Sequence, residues 1–199
     1  MDETAIWNYA PLRQTYVPFD LPGYVQTPDV DHCDTLVVGI VGNGRKLPLY
    51  FIESKPAKRK NKQVIEKSVK EMTVEIMIKW IKDIFIPNRE EVKCLILDKA
   101  SSHTSCITKA FAEENNIQIL YLPAKTAADL SLLDNGFFSQ MKALLKGYPL
   151  RTFEQKKETL ELVVKEIQRE TIQKYFIKCR LCYIEDYIGD DFSEGENPL

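Results

Sequence analysis

Cysteine and long apolar runs are scarce in this 199-residue chain, and each scarcity excludes a class of protein. The five cysteines are odd in number and scattered, whereas a small secreted domain carries a dense, even framework of disulfides. The longest apolar stretches, such as Leu36 to Val41, have the length of a strand and are too short to span a membrane. Asp2 and Glu3 stand where a signal peptide would have a basic and then an apolar region. These features predict a soluble protein of a reducing, intracellular compartment.

An excess of positive charge is also absent. The chain has 27 Lys and Arg against 29 Asp and Glu, for a net charge of −2. This balance argues against a surface that is basic throughout, so any DNA contact must be local. One basic run, at positions 55–62, is either a solvated loop, a nuclear import signal or a phosphate contact. The candidate DNA contacts in this run are Lys58, Arg59, Lys60 and Lys62.

The order of predicted elements indicates one α/β domain, for which the length and the 44% hydrophobic content suffice. Two β-rich runs at 34–41 and 47–53 flank Gly42-Asn43-Gly44-Arg45, whose composition is that of a tight hairpin turn. A first strand is predicted near Thr4 to Asn8, and the breaker-rich stretch 8–33 is predicted to be irregular. The periodicity downstream predicts a helix at 73–85 stopped by Pro87, a strand at 92–98, a helix at 104–114, a strand at 117–122, and helices at 130–145 and 152–176.

This order predicts a mixed sheet flanked by helices, with its first three strands antiparallel and its later strands parallel. We divide the chain into an α/β domain at 1–150, a helical extension at 151–184 and an acidic tail at 185–199. The tail is predicted to be disordered because it is rich in acids and poor in apolar residues.

Three aspartates are the candidate site. Asp98 directly follows an apolar strand, at the sheet edge where open α/β folds place ligands. Asp134 lies near the start of the helix after the next strand, and Asp2 belongs to the first strand, which would lie beside Asp98 if it is central. Carboxylates brought together repel one another and are stable only with a cation between them, for which Mg²⁺ or Mn²⁺ is suited. Taken singly, each acid also has a purely structural interpretation: Asp98 as a helix cap, Asp2 as a terminal residue and Asp134 as a surface acid.

The residues around these acids carry a more specific signal. The three segments are Met1-Asp2-Glu3-Thr4, Leu97-Asp98-Lys99-Ala100-Ser101-Ser102-His103, and Leu122-Pro123 through Asp129-Leu130-Ser131-Leu132-Leu133-Asp134-Asn135. In order, they resemble the three acid-bearing motifs of DDE-type transposases of the mariner-like and pogo-like families. The resemblance extends from Asp2 to about Lys146, and Gly44-Arg45-Lys46-Leu47-Pro48 is similar to a turn of the same families.

The resemblance implies a ribonuclease-H-like fold and metal-dependent DNA cleavage and strand transfer. It implies that Asp2, Asp98 and Asp134 are both the catalytic residues and the ligands of two Mg²⁺ or Mn²⁺ ions. His103 would orient the site or contact a phosphate, and Asp129 matches a non-catalytic acid. It also implies transposon-end DNA as partner, a homodimer when full length, a nuclear location, and neither a membrane nor a small-molecule cofactor.

Departures from the motifs leave a second function open. Lys99 replaces the usual Asn after the second acid, where its ammonium would compete with a cation for Asp98. Because Asp2 is nearly the first residue, the resemblance also implies that an upstream DNA-binding region is missing and that the domain is truncated. The alternative is a non-catalytic, transposon-derived protein that retains the fold and binds DNA or a protein. An unrelated α/β binding module is a third hypothesis, and it predicts that the three acids lie far apart.

Overall fold

The computed structural model describes residues 1–7, 33–53, 72–123, 126, 130–146, 148, 150 and 152–181. The predictions of an irregular stretch at 8–33 and of an acidic tail at 185–199 concern positions that lie almost wholly outside this part of the chain. None of the helices among the described residues is both long enough and apolar enough to cross a membrane.

Among the described residues, five strands form two sheets, one of three strands and one of two. Strands β1 (Asp2–Trp7), β2 (Cys33–Val38) and β3 (Tyr50–Ile52) pair antiparallel in the order β1-β2-β3. Strands β4 (Cys94–Leu97) and β5 (Gln118–Tyr121) pair in parallel. The nitrogen of Met1 donates a hydrogen bond to the Ile96 carbonyl at 3.1 Å and thereby places β1 beside β4. The predicted mixed sheet, antiparallel first and parallel afterwards, is confirmed.

Helices cover both faces of this sheet. Their bounds are α1 (Val74–Trp80), a π-helical turn (Ile81–Phe85), α2 (Ile86–Asn88), α3 (Ser101–Thr104), α4 (Cys106–Glu114), a second π-helical turn (Leu133–Phe137), α5 (Phe138–Leu144), α6 (Phe153–Glu166) and α7 (Arg169–Lys178). The helical stretch made of α1, the first π-helical turn and α2 runs through Pro87 to Asn88 rather than stopping before the proline as predicted. Pro87 lies in the first turn of α2, where the missing backbone donor is tolerated.

The central strand β2 separates two apolar cores. Side chains alternate between the faces of a strand, so Leu36 and Val38 join the core formed with α5, α6 and α7, whereas Val37 joins the core formed with α1. All three of these side chains are fully buried. The strand is therefore fixed in register from both sides, which holds the neighbouring β1, with Asp2 at its start, in a defined position.

The prediction of one helix over 152–176 is wrong, because two helices occupy this stretch. Ile167 leaves the helical conformation, with φ −70° and ψ 114°. The ammonium of Lys46 donates hydrogen bonds to the carbonyls of Val164 and Ile167, each at 2.7 Å, and so satisfies the end of α6. Apolar periodicity continues across the break, which is why the pattern alone did not reveal it.

The hairpin turn predicted at 42–45 is confirmed. The Val41 amide donates to the Arg45 carbonyl and the Gly44 amide donates to the Val41 carbonyl, both at 2.8 Å. Gly44 has a φ of 84°, which glycine adopts without steric cost. The regular pairing is shorter than predicted, since β2 ends at Val38 and β3 begins at Tyr50.

Candidate active site

Asp2 and Glu3 are the first two residues of strand β1, and their side chains extend from its opposite faces. Because successive side chains alternate across a strand, Asp2 extends toward Ser131 and Glu3 toward His103. The Asp2 carboxylate accepts two hydrogen bonds, from the Glu3 amide at 2.8 Å and from the Ser131 hydroxyl at 3.1 Å. Both donors are neutral, so they satisfy the oxygens without cancelling the charge.

The ionised form of Asp2 is disfavoured in this position. Burial, followed by the negative charge of Asp134, raises the pKa of the Asp2 carboxyl from 3.8 to about 6. The hydrogen bond from the Glu3 backbone amide lowers the pKa of Asp2, but burial and the charge of Asp134 outweigh it. The first and third acids of the predicted trio are therefore close enough to interact electrostatically.

Asp134 lies in the π-helical turn Leu133–Phe137 and its side chain is exposed. Its backbone amide donates to the Ser131 hydroxyl at 3.3 Å, and that hydroxyl in turn donates to Asp2. The buried Ser131 thus links the first acid to the helix that carries the third. We did not identify Ser131 from the sequence, although a serine three positions before an acid at a helix start is a recognisable capping pattern.

Asp98 stands at the carboxyl end of β4, as predicted. One of its oxygens, Oδ1, accepts hydrogen bonds from the Ala100 amide at 3.1 Å and from His103 Nδ1 at 2.6 Å. The side chain of Asp98 remains 42% exposed, whereas that of His103 is 1% exposed. The second acid is therefore anchored on one side and open to solvent on the other.

Glu3 occupies the other nitrogen of the same imidazole. Its Oε1 lies 3.1 Å from His103 Nε2, so the ring is held between two carboxylates. Burial by itself would lower the pKa of His103, but the hydrogen bonds and charges of Glu3 and Asp98 outweigh it and the pKa is raised. Glu3 was not among the candidate residues predicted from the sequence.

Asp2 and Asp98 border one cavity of about 160 Å³, whose other lining residues are mostly apolar. Ser131 also lines this cavity, whereas Asp134, whose side chain is exposed, does not. Asp2 and Asp98 thus lie at one cavity, and Asp134 lies near enough to Asp2 to affect its pKa. This arrangement speaks against the hypothesis of an unrelated binding module with dispersed acids.

The donor set fits a divalent cation chemically. Carboxylate oxygens are the ligands that Mg²⁺ and Mn²⁺ prefer, and a cation would offset both the burial of the Asp2 charge and its repulsion by Asp134, which together raise the pKa of Asp2. Within the described part of the chain, however, no three His, Cys, Asp or Glu side chains are already grouped as metal ligands. The acids therefore surround the site as separate carboxylates, with Asp98 engaged by His103.

The departure at Lys99 does not block Asp98 in this structure. Lys99 is exposed, and it forms no ion pair with any residue that the structure describes. The ion pair made by Asp98 is instead with His103. Five of the predicted residues lie outside the described ranges, namely Lys58, Arg59, Lys60, Lys62 and Asp129.

Solved structures of one transposase share this fold. A paired-end complex of Mos1 transposase with the left transposon end has a TM-score of 0.68 and 18% identity, covering 89% of this chain and 50% of that one. The catalytic domain of Mos1 mariner transposase has a TM-score of 0.59 and 16% identity, covering 74% of this chain and 69% of that one. The Mos1 transposase catalytic domain with Raltegravir and Mg has a TM-score of 0.61 and 14% identity, covering 89% of this chain and 76% of that one. These likenesses confirm the predicted ribonuclease-H-like fold.

This chain spans about half the length of the Mos1 chain in the paired-end complex. No curated protein matches the chain in sequence. The sequence profile of the DDE superfamily endonucleases matches residues 34–179, which include Asp98, Asp134 and all the helices described above. The chain belongs to the DDE superfamily endonuclease family.

Proposed function

We propose that this chain is the catalytic domain of a mariner-like transposase and performs metal-dependent cleavage and strand transfer of DNA. The observation that carries the proposal is the electrostatic strain at Asp2, whose pKa is raised to about 6 by burial and by Asp134. Asp2 also borders the same cavity as Asp98. Carboxylates brought near one another at the end of a strand are typical of a site that binds cations.

Asp2, Asp98 and Asp134 would hold two divalent ions, Mg²⁺ or Mn²⁺. When bound, such ions supply an activated hydroxyl nucleophile and stabilise the leaving oxygen of a phosphodiester. Mos1 transposase structures have been determined with Mn and with Mg, which supports the same preference here. The chain's own contribution is to position oxygen ligands, so none of its side chains has to act as a nucleophile.

The protein environment orders two of these acids before any ion binds. Ser131 donates to Asp2 and caps the helix turn that carries Asp134, which couples their positions. The apolar lining of the cavity beside Asp2 and Asp98 limits the water around the carboxylates and strengthens their attraction for a cation.

The partner of this site is DNA. A Mos1 transposase complex contains a transposon end, and we propose that this chain acts on the ends of a related element, as a homodimer when full length and in the nucleus. Lys58, Arg59, Lys60 and Lys62 are the proposed phosphate contacts, and Asp129 is a proposed accessory acid. The division at position 150 into a catalytic domain and a helical extension also remains a prediction.

Titration of the metal-free chain with Mn²⁺, followed by calorimetry, tests the proposal. We expect the wild type to bind Mn²⁺ and the variants Asp2→Asn and Asp98→Asn to bind it at least about tenfold more weakly. Nicking of supercoiled plasmid in Mn²⁺ should fall with the affinity. Asp83→Asn is the matched control, because Asp83 is exposed and does not line the cavity. Equal Mn²⁺ affinity in the wild type and both site variants would contradict the proposal.

A non-catalytic, transposon-derived DNA- or protein-binding protein is the second candidate. It is favoured by Lys99, where the motif usually has Asn, and by the separation of the acids in the described part of the chain. Lys99→Asn distinguishes the two candidates. A wild type that binds no Mn²⁺ and a Lys99→Asn variant that does would indicate a site silenced by this one substitution. Mn²⁺ binding by the wild type favours the enzyme.

A further inference from the structure

We propose that Glu3 is a positioning residue that acts through His103 to orient Asp98 for metal binding. The inference rests on the proposed function and adds a residue to it. Glu3 follows Asp2 directly in β1, but the two side chains extend from opposite faces of the strand. Asp2 accepts from Ser131, and Glu3 contacts His103. Asp2 is itself a proposed ligand, and Glu3 would act on the proposed ligand Asp98 at the end of β4.

The contacts form a continuous chain of three side chains. Glu3 Oε1 lies 3.1 Å from His103 Nε2, and His103 Nδ1 lies 2.6 Å from Asp98 Oδ1. A carboxylate only accepts hydrogen bonds, so each imidazole nitrogen in these contacts is a donor. The ring therefore connects β1 with the end of β4 through two charge-assisted bonds, which are stronger than bonds between neutral groups.

The three side chains are buried to different extents, with His103 the most buried and Asp98 the most exposed. The exposed fractions of the side chains are 1% for His103, 19% for Glu3 and 42% for Asp98. The backbone around the ring is also held, since the Tyr121 hydroxyl donates to the His103 carbonyl at 2.8 Å and the His103 amide donates to Ala100 at 3.1 Å. The imidazole thus has little freedom to turn away from Asp98.

The contact with His103 determines which carboxylate oxygen of Asp98 is left to bind a cation. Among the described residues, both donors to this carboxylate, the Ala100 amide and the His103 ring, end on Oδ1. Oδ2 would then be the oxygen that binds a cation. A carboxylate whose orientation is fixed by a partner behind it binds a metal more tightly than one that rotates freely. Removing Glu3 would leave a buried imidazole nitrogen without its acceptor and would release the ring.

Three substitutions of Glu3 separate its contact from its charge. Glu3→Gln keeps an oxygen that accepts from His103 but loses the charge. Glu3→Asp keeps the charge but withdraws the carboxylate by about 1.5 Å, the reach of one methylene. Glu3→Ala removes both. Glu113→Gln, at an exposed position of α4, is the matched control.

The measurement is Mn²⁺ affinity by calorimetry on the full chain, with folding checked by circular dichroism. We expect Glu3→Ala and Glu3→Asp to weaken binding by about 10- to 100-fold and Glu3→Gln to stay within about threefold of the wild type. If Glu3→Ala fails to fold, the Gln and Asp variants decide between contact and charge. Wild-type affinity in Glu3→Asp, or a loss in Glu3→Gln as large as in Glu3→Asp, overturns the inference. A wild type without Mn²⁺ binding would instead remove the proposed function, and this inference with it.

Discussion

The carboxylate of Asp2 is costly to keep ionised in the metal-free protein. It is partly buried, its described hydrogen-bond donors are the neutral Glu3 amide and Ser131 hydroxyl, and Asp134 adds a negative charge. Hydrogen bonds of this kind fix the direction of the side chain without neutralising it. The same features that prepare Asp2 for a cation therefore reduce the stability of the fold in its absence.

Asp2→Asn should stabilise the metal-free protein at neutral pH. The folded-state pKa of about 6 lies above the ordinary value of 3.8, so the folded state binds the proton more tightly than the unfolded state does. Stability associated with this group is present below about pH 4 and is lost as pH rises toward 6. Removing the charge should recover about 1–2 kcal/mol at pH 7.5, after allowance for solvent screening.

Urea denaturation in EDTA at pH 4.5 and pH 7.5 measures this effect. The stability difference between Asp2→Asn and the wild type should be larger at the higher pH. Asp83→Asn, whose carboxyl is exposed on the first π-helical turn, should show little difference at either pH. An Asp2→Asn variant less stable than the wild type at pH 7.5 would show that the hydrogen bonds of the carboxylate outweigh its desolvation.

Sequence motifs identified the acids but not the side chains that support them. Asp2, Asp98 and Asp134 stand in recognisable motifs. His103 was expected to orient the site or to contact a phosphate, and it is hydrogen-bonded to Asp98. The roles of Glu3 and Ser131 depend on long-range contacts, across 100 and 129 positions of the chain. No local pattern specifies which face of β1 meets which helix, so those contacts could not be inferred.

The hairpin turn between β2 and β3 is clamped by the junction of α6 and α7. The carbonyl of Asn43 accepts from Arg169 Nε and from Gln173 Nε2, and Lys46 donates to the last carbonyls of α6. These contacts connect elements more than 110 positions apart. The turn thus fixes where α7 begins, and α7 packs against the helix turn that carries Asp134.

Gly44→Ala should disrupt this junction. The φ of 84° at this position is unfavourable for any residue with a β-carbon, and an added β-carbon would lie 2.6 Å from the backbone oxygen of Arg169. A backbone oxygen cannot turn aside as a side chain can. We expect a loss of about 2–4 kcal/mol in the free energy of unfolding, measured by urea denaturation.

Gly42→Ala is the matched control in the same turn. The nearest atom to an added β-carbon there is in Phe176 at 4.0 Å, an ordinary contact, so we expect a change below about 1 kcal/mol. Equal losses in the two variants would mean that the turn responds to any lost glycine rather than to the contact with Arg169.

At the level of elements, periodicity located nearly every helix and strand but misjudged their ends. The hairpin, β4 and β5 were predicted because each is a short apolar run bounded by turn residues. The break at Ile167 was missed because Lys46, far away in sequence, caps α6 at that point. The π-helical turn Leu133–Phe137 was likewise not predicted, because the prediction assumed the α-helical period of 3.6 residues.

A buried ion pair connects the C-terminal helices with the central strand β2. Lys156 of α6 is paired with Asp34 of β2, and both residues are buried. The same ammonium lies 3.5 Å from the Ile6 carbonyl in β1. This contact ties the C-terminal helices to the strands on which the acids of the site depend, and it lies beside the apolar core formed by α5, α6 and α7.

Lys156→Met should therefore destabilise the whole domain and not only α6. The substitution preserves the apolar stem but leaves the Asp34 carboxylate buried without its cation, a change that costs about 3–5 kcal/mol in buried pairs. Lys157→Met, at the next and exposed position of the same helix, should change the free energy of unfolding by less than about 0.5 kcal/mol. Adding Asp34→Asn to Lys156→Met should recover part of the loss, because the buried charge of Asp34, rather than the missing bond to Lys156, dominates it. Urea denaturation of the single and double variants measures these differences. A double variant less stable than Lys156→Met would show that Asp34 holds β2 mainly through its other contacts.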